Sequence, residues 1–370
     1  MVRVKNILKS GFLLPASIIL SGLALYALWS HFLAVRVASL GACDRAAGCQ
    51  YLAFNGRRSV TVSGFSADDS RFLSVGTAKG VIHDANTGSR LGGLNPGRDT
   101  YRYRISGDRS EILAYRADAV KVLDWEGQLL QSWTPDPESS VRNVALLPVL
   151  NGFLVAESGG LAVRHGNGDL VAWLVEGGSF LQVAATPDGA YVAAYDFVDD
   201  VVMGWPLQSL GDGIVIPNVE AQTIYLSADG ARIAAAGAPG AYVWDTRDGS
   251  PVIAIEATDF PVTAAALASD GTRLAVGFEN GAVVIFDVAT QAQLQQFDHR
   301  HAPRSIRFNR SSDRLAVSLN THTRVSGGEP LFRRSPRQSD RPFRPGDTLR
   351  QSDNRIEVTP GYVVVWSLAD

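Results

Sequence analysis

The sequence predicts an all-β ring of seven four-stranded sheets, a seven-bladed β-propeller, preceded by one N-terminal transmembrane helix. Three observations predict it. From about residue 50 the 370-residue chain repeats with a period near 41 residues. Each repeat sets a tight-turn signal between two apolar runs. The last repeat is one strand short, while a surplus strand stands ahead of the first.

The transmembrane helix comes first in the chain. Residues 11–33 contain no Asp, Glu, Lys or Arg over 23 positions. A helix of that length, at roughly 1.5 Å per residue, crosses the roughly 30 Å hydrocarbon layer. Backbone amides in lipid need internal partners, so the run must be helical, and Pro15 is tolerable in its first turns. Arg3, Lys5 and Lys9 precede it and Arg36 follows it. That bias puts residues 1–10 in the cytoplasm and everything after 33 outside it. In a bacterium this is the periplasmic side of the inner membrane. The linker, 34–49, holds both cysteines, Cys43 and Cys49, which would form a local disulfide in an oxidising compartment. Leu40-Gly41-Ala42-Cys43 also reads as a lipidation site, which would make the chain an envelope-assembly lipoprotein instead.

The repeat occupies residues 50–370. Anchored on the turn acid, the seven equivalent positions are Asp68, Asp108, Val149, Asp188, Asp229, Asp270 and Ser311, spaced by 40, 41, 39, 41, 41 and 41. Positions not used to set the register test it. Three residues before the anchor stand Phe65, Ile105, Leu146, Ala185, Leu226, Leu267 and Phe308. Four residues after it stand Phe72, Ile112, Phe153, Val192, Ile233, Leu274 and Leu315. All are apolar, in a chain that is only 46% hydrophobic. The turns read Asp188-Gly189, Asp229-Gly230 and Asp270-Gly271, where Gly takes a positive φ without steric cost. In the third unit Pro148-Val149-Leu150-Asn151-Gly152 replaces that turn.

Four short antiparallel strands every 40–45 residues describe a propeller blade. The turns, with third strands ending Val243-Trp244-Asp245, Ile285-Phe286-Asp287, Leu123-Asp124, His83-Asp84 and Val365-Trp366, give a pattern that resembles the WD40 repeat family. The Gly-His dipeptide and the buried His/Ser/Asp/Trp tetrad of well-formed repeats are not recognisable. The resemblance implies that Tyr51–Phe54 completes the last blade by pairing with Tyr362–Trp366, removing both exposed edges. It also implies that the linker enters on the face carrying the turns between first and second strands, called the bottom here. That face is expected to look toward the membrane.

Residues 320–360 interrupt the last blade as an Arg-rich insertion. A structureless stretch of this length in a compact fold is usually functional or disordered. Within it Arg333, Arg334, Arg337, Arg341 and Arg344 are expected to pair with acidic groups of a partner protein or with phosphate, bidentate guanidinium geometry supplying selectivity. Phe332 and Phe343 are the apolar anchors.

Chemistry is not signalled. The chain carries no Gly-rich phosphate loop, HExxH, haem-binding Cys-x-x-Cys-His or Gly-x-Ser-x-Gly motif. His299-Arg300-His301 reads as a solvated loop and Asp199-Asp200 as a polar turn, so neither metal nor cofactor is expected. Basic and acidic residues number 34 and 37, and this balance disfavours nucleic acid. The expectation is a non-enzymatic scaffold or adaptor that holds protein partners in a membrane-associated complex. The alternative is a propeller enzyme or small-ligand-binding protein that uses the central channel.

Overall fold

The computed structural model describes residues 49–54, 60–76, 79–97, 100–209, 213–299, 301–319, 324–325, 356–357 and 362–368, with side chains described for all but 49–54, 324–325 and 356–357. The apolar run 11–33, Cys43 and the body of the insertion lie outside these residues. No helix among the described residues is long and apolar enough to cross a membrane.

Seven four-stranded antiparallel sheets make up the fold. Blade 1 runs from its inner to its outer strand through Thr61–Phe65, Arg71–Gly76, Lys79–Asp84 and Arg90–Leu94. Blades 2 to 6 repeat this plan over residues 102–133, 143–176, 180–216, 223–256 and 262–298. Blade 7 takes three strands from the end of the chain, Pro303–Phe308, Arg314–Leu319 and Tyr362–Ser367, and its outer strand, Cys49–Phe54, from the beginning. The closing register sets Tyr51 opposite Val365, Leu52 opposite Val364 and Phe54 opposite Tyr362. The expected seven-sheet closure is therefore the one observed. A two-residue ladder, Arg324–Val325 with Ile356–Glu357, marks the base of the insertion.

The repeated turn acid has a structural cause. In blades 1, 2, 4 and 5 a hydroxyl two residues earlier donates to it: Ser66 to Asp68, Ser106 to Asp108, Thr186 to Asp188 and Ser227 to Asp229, each at 2.6 Å. The same carboxylates accept the amides of Ser70, Ser110, Ala190 and Ala231. Such local bonds stabilise the turn against any alternative backbone path. They also hold the Asp68 carboxyl down at about 2, the Ser66 hydroxyl contributing most. These acids are turn builders. Blade 3 solves the same problem differently: Pro148–Leu150 forms one 3-10 turn, and Asn151 closes it at φ 44°. Asn tolerates that left-handed conformation better than most residues.

Packing joins the blades face to face. An apolar cluster lies at each of six junctions among the described residues, for example Ala234, Ala236, Val243, Leu274 and Val276 between blades 5 and 6. The second strands use small side chains (Ala193-Ala194, Ala234-Ala235-Ala236, Ala275), all buried. Sheets that converge on an axis leave little room there, and Ala fits the taper. At the seventh junction Phe297 of blade 6 stacks on Trp366 of blade 7, with ring centroids 4.4 Å apart.

Candidate functional site

The structure brings basic side chains into the central channel. Arg104, on the inner strand of blade 2, donates through Nη1 to Asn143 Oδ1 at 2.6 Å and to the Val183 carbonyl at 2.5 Å, spanning blades 2, 3 and 4. Arg307, on the inner strand of blade 7, donates through Nε to the Ser63 carbonyl at 3.1 Å and through Nη1 to Tyr225 Oη at 3.0 Å. Its guanidinium lies over the Tyr225 ring, 5.3 Å from the centroid. Tyr225 in turn donates to the Ala265 carbonyl at 2.7 Å. Arg307 and Tyr225 thereby tie together blades 7, 1, 5 and 6, so two arginines and one tyrosine reach all seven inner strands.

Arg109 crosses the bottom of the channel. It donates through Nη2 to Ser269 Oγ at 2.8 Å and through Nη1 to the Phe308 carbonyl at 3.3 Å. Its guanidinium lies 3.9 Å from the Asp69 carboxylate. Burial is the main cause that lowers the Arg109 guanidinium to about 10; Asp69 opposes the shift, and Arg310 and Arg307 add to it. Arg104 shifts downward for the same first reason. Arg109 remains charged at neutral pH.

Arg109 and Asp69 occupy the turn position held by glycine in blades 4 to 6. Their φ angles are 66° and 57°, against 71°, 70° and 71° at Gly189, Gly230 and Gly271. A side chain in that region costs about 1 kcal/mol relative to glycine. Here it delivers a guanidinium and a carboxylate to the channel floor. Both stand immediately after the acid that anchors the repeat, in a position the repeat pattern does not constrain. The available signal was the departure from Asp-Gly at Asp68-Asp69 and Asp108-Arg109.

Three spaces open along the channel wall. One of about 170 Å³ is lined by Gln222, Thr223, Tyr225, Thr263, Arg304 and Arg307, among others. A neighbouring one of about 140 Å³ is lined by Arg104 and Tyr225 together with apolar residues. A wider opening of about 440 Å³ adds Thr61 and Glu279 beside Arg304.

A second feature lies on the rim between blades 2 and 3. A groove of about 1010 Å³ runs past Trp133, Trp173, Asp136, Glu138, Asp169 and Leu170. Its wall holds a buried ion pair, Arg164 Nη2 to Glu157 Oε1 at 2.7 Å. Ser139 Oγ donates to Glu157 and Arg164 donates to the Gly168 carbonyl, so the pair's hydrogen bonds are met inside the protein. The outer strands of these two blades expose Leu129, Leu130, Leu170 and Val171.

The residues singled out from the sequence fare unevenly. Arg333, Arg334, Arg337, Arg341, Arg344, Phe332, Phe343 and Cys43 lie outside the described residues, as does the side chain of Cys49. His299, expected in a solvated loop, instead packs edge-on against Trp366, ring centroids 5.4 Å apart. The Trp366 indole N–H donates to His299 Nε2 at 3.1 Å, and Nδ1 sits 3.1 Å from the Gly281 carbonyl. An indole can only donate, so Nε2 must be unprotonated and the ring neutral. Burial accordingly lowers its pKa to about 4. A partner for Trp366 is thus present after all, along with a second pair, Ser74 Oγ to His83 Nε2 at 2.8 Å in blade 1. Neither histidine stands in a Gly-His dipeptide: Ile82 precedes His83 and Asp298 precedes His299. Asp200 accepts the Tyr195 hydroxyl at 2.8 Å. No group of three or more His, Cys, Asp or Glu able to hold a metal ion occurs among the described residues.

Comparison with known proteins adds the fold and little else. No family model matches the chain, and no curated protein matches it. Among solved structures it is similar to that of U3-55K, with a TM-score of 0.65 and 13% identity, over 87% of this chain and 99% of that one. Many solved chains share the architecture, so the likeness carries no activity with it. Seven closed four-stranded sheets and this neighbour agree on one statement: the chain is a seven-bladed β-propeller.

Proposed function

We propose that the protein is a membrane-anchored scaffold that presents its propeller outside the cytoplasm and holds a protein partner, without catalysing a reaction. The observation that carries the reading is the groove between blades 2 and 3. It combines two tryptophans with exposed aliphatics on the flanking strands. Its acids Asp136, Glu138 and Asp169 are exposed and have no basic partner within ion-pair distance among the described residues. That chemistry suits an extended peptide segment alternating basic and apolar side chains, with the indoles as anchors. The apolar run 11–33 and the basic residues before it support anchoring with the propeller on the far side. In this reading Arg333, Arg334, Arg337, Arg341 and Arg344, with Phe332 and Phe343, form a second contact, to acidic groups of the partner.

Cross-linking in intact membranes tests the reading. The full chain should give a discrete adduct that Leu130→Asp with Leu170→Asp removes, while circular dichroism stays that of the unaltered fold. Deleting residues 326–356 separates the arm's contribution from the groove's. An adduct undiminished by the two aspartates sinks the groove as the docking site.

A second reading, a small-ligand-binding protein using the channel, is favoured by the arginines that line it.

A further inference from the structure

Arg104 and Arg307, partly buried in the channel, lack the counter-charges that withdrawn guanidinium groups ordinarily have, and exposed Arg304 stands beside them. Among the described residues no carboxylate oxygen lies within 4.0 Å of Arg104, Arg304 or Arg307. Arg104 and Arg307 are held by carbonyls, an amide oxygen and a phenol. Every one of these partners is neutral. Their bonds use Nη1 of Arg104 and Nε and Nη1 of Arg307, leaving the remaining N–H groups of each without a described protein partner. Arg304 makes no described side-chain bond and is exposed on the opening. Glu279 is the one acid lining the three spaces, and it is not within ion-pair distance of Arg304.

Three partly buried arginines elsewhere in the ring differ in this respect. Arg164 has Glu157, Arg232 has Asp245 and Arg109 has Asp69 nearby. Charges taken from water without a counter-ion cost several kcal/mol, so a region that concentrates them favours an anion. The surroundings point the same way. Around the 170 Å³ space stand Gln222 and Thr223, whose side chains can donate hydrogen bonds, while the Thr263 hydroxyl donates to the Gly277 carbonyl. A water takes up roughly 30 Å³ in the liquid, so the space holds about six waters and has room for a small ion with part of its hydration shell. The net charge of −3 over the whole chain makes the basic channel a local feature rather than a reflection of composition.

We propose that the central channel binds a small oxyanion of the phosphate class, clamped between Arg304 and Arg307, with Arg104 adding positive potential from the adjoining space. Planar guanidinium forks match phosphate oxygens in pairs, and charge-assisted bonds of this type exceed neutral ones in strength. The narrowness imposed by Tyr225, Arg307 and Arg104 limits the ligand to inorganic phosphate or one phosphoryl group on a slim carrier. The site is independent of the rim groove and of any membrane anchor.

Isothermal titration calorimetry of the full chain in detergent tests it, with inorganic phosphate as the probe and chloride holding ionic strength constant. Saturable one-to-one binding in the millimolar range or tighter is expected. Arg304→Gln, which removes an exposed side chain outside the inter-blade bonds and so leaves folding intact, should weaken it about tenfold. Arg90→Gln, the same charge change on the outer strand of blade 1, should leave it within about twofold. Absence of saturable heat overturns the proposal. So does equal weakening by both variants, which would mark a diffuse charge effect. Tighter binding of succinate than of phosphate overturns the assignment of the ligand class.

Discussion

Two junctions of the ring are built differently. Blades 5 and 6, consecutive in the chain, meet through a cluster of alanine, valine, leucine and isoleucine flanked by Phe278 and Phe286, with side-chain bonds to carbonyls from Tyr225 and Gln291, and both carry Asp-Gly turns. Blades 7 and 1, from opposite ends of the chain, share an apolar cluster of Val62, Phe65, Phe72, Val363 and Val365 and add a polar lattice. Ser305 and Ser318 hydroxyls lie 2.7 Å apart, and Ser305 Oγ accepts the Val62 amide at 2.6 Å. The Asp69 carboxylate accepts the amides of Arg310 and Ser311, the Ser311 hydroxyl and the Asn309 side chain. Arg314 reaches the carbonyls of Ala85 and Asp69. Neighbours in sequence are held near one another by the chain, whereas the ends must be brought together against loop-closure entropy. Directional bonds at the closure offset that cost and fix the register, so the difference follows from topology.

A matched pair of substitutions extends the contrast to the other faces of blades 7 and 5, where they meet blades 6 and 4. Trp366→Ala at the closing blade should cost about 4 kcal/mol, since the side chain is 1% exposed, stacked on Phe297 and bonded to His299. Trp244→Ala in blade 5, at 8% exposure, should cost about half of that. Chemical denaturation of the two proteins measures both, and equal losses would remove the distinction.

Acid should act on the closing region before the regular blades. His83 is fully buried, and burial lowers its pKa from 6.5 to about 4. The unfolded chain therefore takes up a proton at higher pH than the folded one. Stability is fully present above pH 6.5, falls as the pH drops below 6.5, and is lost to the extent of about 3 kcal/mol near pH 4. His299 acts with the same sign. The turn carboxylates, whose pKa values are lowered, contribute only below their ordinary range near 3.8, so above that range the loss comes from the histidines, opposed by Glu111, whose pKa burial raises. As the pH drops from 6.5 toward that range, denaturation midpoints should fall for the native chain and fall less for His83→Gln.

Asp69→Asn should cost about 2 kcal/mol, because one carboxylate serves four donors and the nearby Arg109. Asp188→Asn, in the regular turn of blade 4, should cost less than about 1 kcal/mol. Thermal melts of the two variants sharpen the comparison. The smallest effects carry opposite signs. Gly271→Ala, at φ 71° with Ser227 Cβ 3.1 Å from the added methyl, should lose about 1 kcal/mol. Ser312→Gly, at φ 59° and removing a buried hydroxyl without a described partner, should gain about 1 kcal/mol. A loss in the second case would mean that the left-handed turn of blade 7 is not strained.

The architecture was legible because it is written many times over: an apolar residue three before and four after each turn acid fixes seven equivalent hairpins. The missing fourth strand after Val363–Ser367 was legible by subtraction. The channel was not. Arg104, Arg304 and Arg307 sit on inner strands whose alternation reads as ordinary solvent-facing polarity, and only closure of the ring turns those positions toward one axis. His299 and Trp366 are 67 positions apart, and a repeat-based reading has no means of pairing them. Asp69 and Arg109 were in view but masked by the regularity beside them. In a repeat protein the consensus specifies the fold, and the exceptions to it mark the special sites.

The strand Cys49–Phe54 pairs with Tyr362–Ser367, which dictates an order of events during synthesis. At about 5–20 residues per second, a ribosome needs on the order of 15 to 60 seconds to make the stretch between them. For that interval six blades can assemble in turn while the first-made strand waits with its hydrogen-bonding edge bare. A nascent chain of this design must keep that edge from other copies until its last hairpin emerges. The pairing that covers the edge of Tyr362–Ser367 is also the last one by which the ring can close.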